Sequence, residues 1–263
     1  MPEIKYDTSN LQYYKNGNGA KTILLFHGFG QDHHAFDTWI ERMKGEYTLY
    51  GFDLFFHGAS DWHGSRPVEK EDWKNILEIF FQQESIHEFE MAGFSLGGKF
   101  VLATLEAFPQ RVKKIWLLAP DGIKINFWYR LATYPLLTRA LFHSFIFRPK
   151  IFFALIHFFD RFGLASKYLL RFALSQMDTE EKRKRVYHSW IYFRHLRFDM
   201  REVAAHINSH HIPLTVCVGK HDKVIPAKDM HRLLKFVPHG KFEVPDTGHN
   251  QLIEKVFPYF DRK

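Results

Sequence analysis

Ser95 stands between two glycines in Gly93-Phe94-Ser95-Leu96-Gly97, after a short apolar run and before a segment of helical pattern. A tight turn from strand to helix leaves no room for side chains at the flanking glycine positions. It holds a serine in a strained conformation with its hydroxyl exposed. The helix that starts there points N–H groups at the site and favours developing negative charge. A flexible glycine turn with an incidental serine fits the same five residues, so partners elsewhere have to decide. His249, in Asp246-Thr247-Gly248-His249, could take a proton from Ser95 and return it to a leaving group. Asp222, in Gly219-Lys220-His221-Asp222, could orient that imidazole, although an aspartate there also reads as a helix cap before Val224-Ile225-Pro226. Acyl transfer further needs two N–H donors aimed at an oxyanion. Leu96, after the serine, and Phe29, in His27-Gly28-Phe29-Gly30, are the candidates, with His27, Gly28 and Phe94 as candidate substrate-pocket residues.

The elements that must position these residues follow from alternation. Short apolar runs at 22–26, 48–52, 89–93, 114–119, 214–218 and 241–244 are separated mostly by helical patterns, roughly at 35–43, 69–85, 96–108, 227–236 and 251–260. Strand and helix in repeated alternation predict an α/β fold, a mostly parallel, roughly eight-stranded sheet with helices on both faces. Residues 4–7 and 11–14 read as a hairpin at one edge. Ser95, Asp222 and His249 each follow a predicted strand, and ligands of such sheets bind beyond the carboxyl ends of the strands.

The alternation stops at 121–205, which reads as a helical insertion after the sixth strand, with 1–120 and 206–263 forming the core. The chain carries 36 basic and 29 acidic side chains, a net +7. The insertion holds fifteen of the basic and seven of the acidic ones, so the whole excess sits there, with twelve of the 28 phenylalanines.

At this point the chain resembles the α/β-hydrolase fold superfamily over nearly its full length. The HGFG loop, the GFSLGG turn, GKHDKVIP around Asp222 and PDTGHN around His249 match that family's motifs in order and spacing. The resemblance implies a Ser95–His249–Asp222 triad, an oxyanion hole from Phe29 and Leu96, and a cap at 121–205. Two positions depart from the pattern: Phe94 stands where many members carry histidine, and Phe56 replaces the first glycine of the loop that runs from Asp53 to Ser60. Some members draw their acid from the end of the preceding strand, which here would be Asp121. It lies in a plain Pro120-Asp121-Gly122 turn, and Asp222 is the better candidate.

A serine at the elbow points to acyl chemistry rather than the alkyl-ester chemistry of relatives that use aspartate there. The expected activity is hydrolysis of carboxylic esters or thioesters with a hydrophobic acyl group. C–C bond hydrolysis by the same triad, or a slow-turnover receptor for a small ligand, are the alternatives. The aromatic, basic insertion could take a hydrophobic and anionic substrate or touch an anionic membrane surface. His33-His34 and His210-His211 lack metal-ligand spacing, so neither metal nor organic cofactor is expected, and no module for nucleic acid is present. The longest greasy run, 151–159, ends at Asp160-Arg161, short of the ~20 residues a span needs. With no signal-peptide core near Pro2 and one cysteine, Cys217, in an apolar run, a soluble cytoplasmic protein is expected.

Overall fold

A computed structural model describes residues 2–125, 127–164 and 167–257. Its sheet contains β1 (Glu3–Tyr6), β2 (Ser9–Asn16), β3 (Lys21–Phe26), β4 (Tyr47–Phe52), β5 (Phe89–Phe94), β6 (Val112–Leu118), β7 (Leu214–Cys217) and β8 (Lys241–Glu243). The spatial order is β1-β2-β4-β3-β5-β6-β7-β8. The β1–β2 hairpin is antiparallel and pairs antiparallel to β4, and every later pairing is parallel. The central strands are near-continuous apolar runs, as burial on both faces requires. Ile23, Leu24, Leu25 and Phe26 of β3 are fully buried, and all four residues of β7 are buried.

The chain divides into two compact units, Met1–Lys124 with His195–Lys263, and Ile125–Arg194. In the first, α1 (Asp37–Met43), α2 (Lys70–Gln83), α3 (Gly97–Ala107) and α9 (Met200–Ser209) are the main helices. A capping box starts α2, with the Glu69 N–H donating to Asp72 Oδ2 at 2.9 Å. Its buried residues Trp73, Ile76, Leu77, Phe80 and Phe81 recur at helical spacing. Helix α3 is buried from Gly97 to Leu105, as suits a helix at the centre of the layer.

The described residues of the second unit form helices and no strand: α4 (Phe127–Thr133), α5 (Leu136–Phe147), α6 (Pro149–Arg161), α7 (Lys167–Met177) and α8 (Glu180–Tyr192). The charged start of α8 forms i,i+4 pairs, Lys184 with Glu180 at 2.8 Å and Arg185 with Glu181 at 2.9 Å. No single helix among the described residues is long and apolar enough to cross a membrane.

The unit boundary falls inside the expected one. Residues 121–124 and 195–205 lie in the first unit, because α9 buries Val203, Ala204 and Ile207 there. Two expected helices are also broken. Residues 227–236 form a 3-10 turn (Ala227–Met230) followed by the single turn α10 (His231–Leu234), which bury only Met230 and Leu233. The segment at 251–260 contains α11 (Leu252–Lys255), and 258–260 lie outside the described residues.

Candidate active site

The sheet order sets the site. The chain goes from β3 to β4 on one side and then crosses to β5 on the other, so the carboxyl ends of β3 and β5 flank a switch point. The His27–Gly30 loop leaves β3 and Ser95 leaves β5, with Phe26 opposite Gly93 in register. Asp222 follows β7, two strand spacings or about 10 Å from β5, and the loop after β8 starts a further spacing away. That last loop is tied back onto the one before it, by the Lys220 N–H to Pro245 O at 2.9 Å and the His221 N–H to Thr247 O at 3.0 Å.

Ser95 sits at φ 49°, in the left-handed region, which costs a non-glycine residue roughly 1–2 kcal/mol. Three backbone bonds hold it there. The Ser95 N–H donates to Leu118 O at 2.9 Å, and its carbonyl accepts from Asp121 at 2.7 Å and Gly98 at 2.9 Å. The two glycines are needed for close approach. A Cβ on Gly97 would lie 2.0 Å from Phe26 O, and one on Gly93 would lie 2.6 Å from Gly97 O. The turn therefore keeps Ser95 half-buried between buried neighbours, with its side chain at the start of α3.

The structure brings Ser95, His249 and Asp222 into one hydrogen-bonded line. His249 Nδ1 lies 2.6 Å from Asp222 Oδ2, and His249 Nε2 lies 3.1 Å from Ser95 Oγ. A carboxylate only accepts, so Nδ1 carries the proton and Nε2 presents a lone pair to the serine hydroxyl. The Asp222 side chain is fully buried and the His249 side chain nearly so. Asp222 meets both readings of its sequence context at once. Its Oδ1 accepts the Val224 and Ile225 N–H groups at 2.8 and 2.9 Å, while Oδ2 faces the imidazole. Asp121 is occupied elsewhere, by the Gly122 N–H at 2.7 Å and Lys99 Nζ at 3.5 Å. Phe94 is buried, its ring 4.8 Å from the His249 ring.

Among the described residues, no hydrogen bond engages the N–H of Phe29 or of Leu96. The neighbouring Gly28 N–H, in contrast, donates to Gln31 Oε1 at 2.9 Å. That tie to Gln31 has no sequence signal beyond a three-residue separation. Asp53, at the end of β4, is the other brace. Its buried carboxylate accepts the His33 N–H at 2.9 Å, His33 Nδ1 at 2.8 Å and the Ala59 N–H at 3.0 Å. Burial pushes its carboxyl up, but these hydrogen bonds win and hold it below the usual range. In the same loop Phe56 takes φ 67°, a conformation open to glycine at no steric cost and to a bulky residue only under strain.

His27 has no exposed surface, and both ring nitrogens are engaged. Nε2 accepts the Leu54 N–H at 3.0 Å, so Nδ1 donates to Gly28 O at 2.7 Å. It joins the loops after β3 and β4 from inside instead of facing a ligand. Burial lowers its pKa to about 4. A folded pKa below the unfolded one means the unfolded chain binds more protons between the two values, so stability falls on acidification from about pH 6.5 to 4. We expect His27 to remove on the order of 2 kcal/mol between pH 7 and 5. Urea unfolding at the two pH values, with His27→Gln as the comparison, checks this, and an equal drop in both chains would refute it.

No group of three or more metal-ligating side chains occurs among the described residues. Cys217 is fully buried, and burial pushes its thiol up, away from the reactive thiolate.

A family model described as the alpha/beta hydrolase fold matches residues 21–145. The chain is 24% identical over 257 residues to lipase 1 of Psychrobacter immobilis, covering 93% of this chain and 76% of that one. It is 29% identical over 119 residues to the dihydrolipoyllysine-residue acetyltransferase component of the acetoin cleaving system of Cupriavidus necator, a match that spans 44% of this chain and 31% of the relative. Among solved structures, a thermophilic esterase from Thermogutta terrifontis superposes with a TM-score of 0.70 at 17% identity, covering 98% of this chain and 94% of that one.

Proposed function

Since the chain has the α/β-hydrolase fold, we propose that it is a serine hydrolase cleaving carboxylic esters or thioesters through an acyl-enzyme on Ser95. The observation that carries this reading is the line Ser95 Oγ to His249 Nε2 to Asp222 Oδ2, at 3.1 and 2.6 Å. Ser95 Oγ attacks the acyl carbonyl as its proton passes to His249 Nε2. Asp222 stabilises the imidazolium without taking the proton. The oxyanion accepts from the N–H groups of Leu96 and Phe29, and a preorganised donor of this kind is worth roughly 3 kcal/mol of barrier. As the tetrahedral adduct collapses, His249 returns the proton to the leaving oxygen or sulfur. Water then attacks the acyl-enzyme with His249 as base, releasing the acid and restoring the Ser95 hydroxyl. This sequence needs no organic cofactor.

In this reading His27, Gln31 and Asp53 are positioning residues that hold the loops bearing Phe29 and its neighbours. Phe94 limits the imidazole to one orientation. The aromatic and basic composition of 121–205 supports a cap role for that stretch and a hydrophobic acyl group, with anionic character tolerated. A buried, unreactive Cys217 fits a reducing compartment such as the cytoplasm. A chain-length series of p-nitrophenyl esters tests the substrate class. We expect kcat/KM to rise from acetate to medium-chain acyl groups, and a steep preference for acetate would overturn it.

A further inference from the structure

Among the described residues, eleven of the thirteen large exposed hydrophobics lie in the Ile125–Arg194 unit. They are ordered rather than scattered. On α6, Ile151, Leu155 and Phe158 recur at one face and the stripe continues to Phe162, with Phe158 50% and Phe162 61% exposed. The side of α6 about a quarter-turn from this stripe is already used, since Phe152 is buried with its ring 5.7 Å from Phe145 of α5. Helix α5 repeats the pattern. Phe142, Phe145 and Ile146 are buried, while Leu137 is 87% and Leu141 47% exposed. Both helices thus carry a second apolar face that no described residue of their own unit covers, and exposed apolar faces of this kind mark docking sites.

The chemistry of the occupant follows from charge and shape. Residues 125–177 contain seven lysines and arginines and a single acid, Asp160. Arg148, Lys150 and Arg161 are exposed at the two ends of α6, beside the apolar stripe. A second copy of the chain would bring the same cations face to face. An anionic bilayer would meet the cations with phosphate and the stripe with acyl chain. Long basic side chains can lay their stems along the apolar face and keep the charge at the headgroups. Helices α5 and α6 together are long and apolar enough to span a bilayer, but they bend by 113° at their junction. Helices of 12 and 13 residues at that angle suit the plane of the interface, not a crossing.

We propose that α5 and α6 form a peripheral docking surface for anionic membranes, with Leu137, Leu141, Ile151, Leu155, Phe158 and Phe162 entering the acyl boundary. It requires nothing of Ser95 or its partners, so it stands or falls apart from the acyl chemistry.

The test is flotation of the full chain with vesicles of phosphatidylcholine, alone or with one quarter phosphatidylglycerol, at physiological ionic strength. The wild-type chain floats with the anionic vesicles and binds the neutral ones at least tenfold less. Arg148→Gln, Lys150→Gln and Arg161→Gln together lower binding on the order of a hundredfold, about fivefold per charge. Leu155→Ser, Phe158→Ser and Phe162→Ser together abolish it on both vesicles. The substituted side chains are exposed, and an unchanged thermal midpoint establishes that each variant is folded. Wild-type chain that stays at the bottom with both vesicles, or folded variants that float like wild type, would overturn the proposal. So would a wild-type dimer in light scattering that the serine variant makes monomeric without any flotation, which assigns the face to a second copy.

Discussion

A Ser95→Ala chain is expected to turn over p-nitrophenyl esters on the order of a million times more slowly than wild type, with KM little changed. The substitution removes one oxygen and leaves its surroundings intact. Alanine at φ 49° carries the same strain as serine, and the His249–Asp222 bond of 2.6 Å does not depend on it. Unfolding free energy should therefore stay within about 0.5 kcal/mol of wild type. His249→Ala should lose about as much rate, and the double variant hardly more, because a nucleophile and its base act as one unit. What survives, roughly a thousandfold or more over water, is the share of the N–H donors and of substrate binding. Steady-state kinetics on the two single variants and the double checks all of this. Losses that multiply in the double variant would contradict a shared proton path.

The second large effect separates the two carboxylates. Asp222→Asn is expected to lower kcat on the order of ten-thousandfold. An amide at Asp222 can still accept the Val224 and Ile225 N–H groups through its oxygen, but its NH2 then faces His249 Nδ1. The ring must accept there, the proton moves to Nε2, and Ser95 loses its base. Asp222→Ala should lose similar rate and also about 1 kcal/mol of stability, because two N–H groups lose their acceptor. Asp121→Ala should stay within about tenfold of wild type, since Asp121 bonds Gly122 and Lys99 and not the imidazole. An inactive Asp121→Ala beside an active Asp222→Ala would assign the acid to the end of β6 instead.

Much of the sheet was readable because its central strands are buried on both faces. Runs such as Thr22–Phe26 and Leu214–Val218 have no other use for so many apolar residues in a row. The outer elements were less readable for the converse reason. Strand β8 is three residues long with exposed Lys241 and Phe242, and α10 and α11 are single turns. Too few side chains are buried there to write a period. The expected insertion runs to 205 because no parallel strand is legible between 121 and 205. Helix α9 begins inside that stretch at Met200, and its buried Val203, Ala204 and Ile207 belong to the first unit, which a missing strand does not reveal. At the candidate site, residue types and their places after strands were legible for Ser95, Asp222 and His249. Their distances were not, because they depend on how the loop after β8 returns across two strands. The division of labour between the two Asp222 oxygens, the brace at Asp53 and the tie from Gln31 to Gly28 are likewise products of three-dimensional approach. Phe56 shows the limit from the other side. Its identity was plain, but only the φ of 67° shows that it takes a conformation suited to glycine.

The central claim is that Ser95 is a nucleophile activated by its neighbours, and covalent labelling with a fluorophosphonate tests it most directly. The wild-type chain should gain the mass of one adduct, on the peptide that contains Ser95, and Ser95→Ala should gain none. A folded wild-type chain that takes no adduct, or an adduct that persists in Ser95→Ala, would contradict the claim.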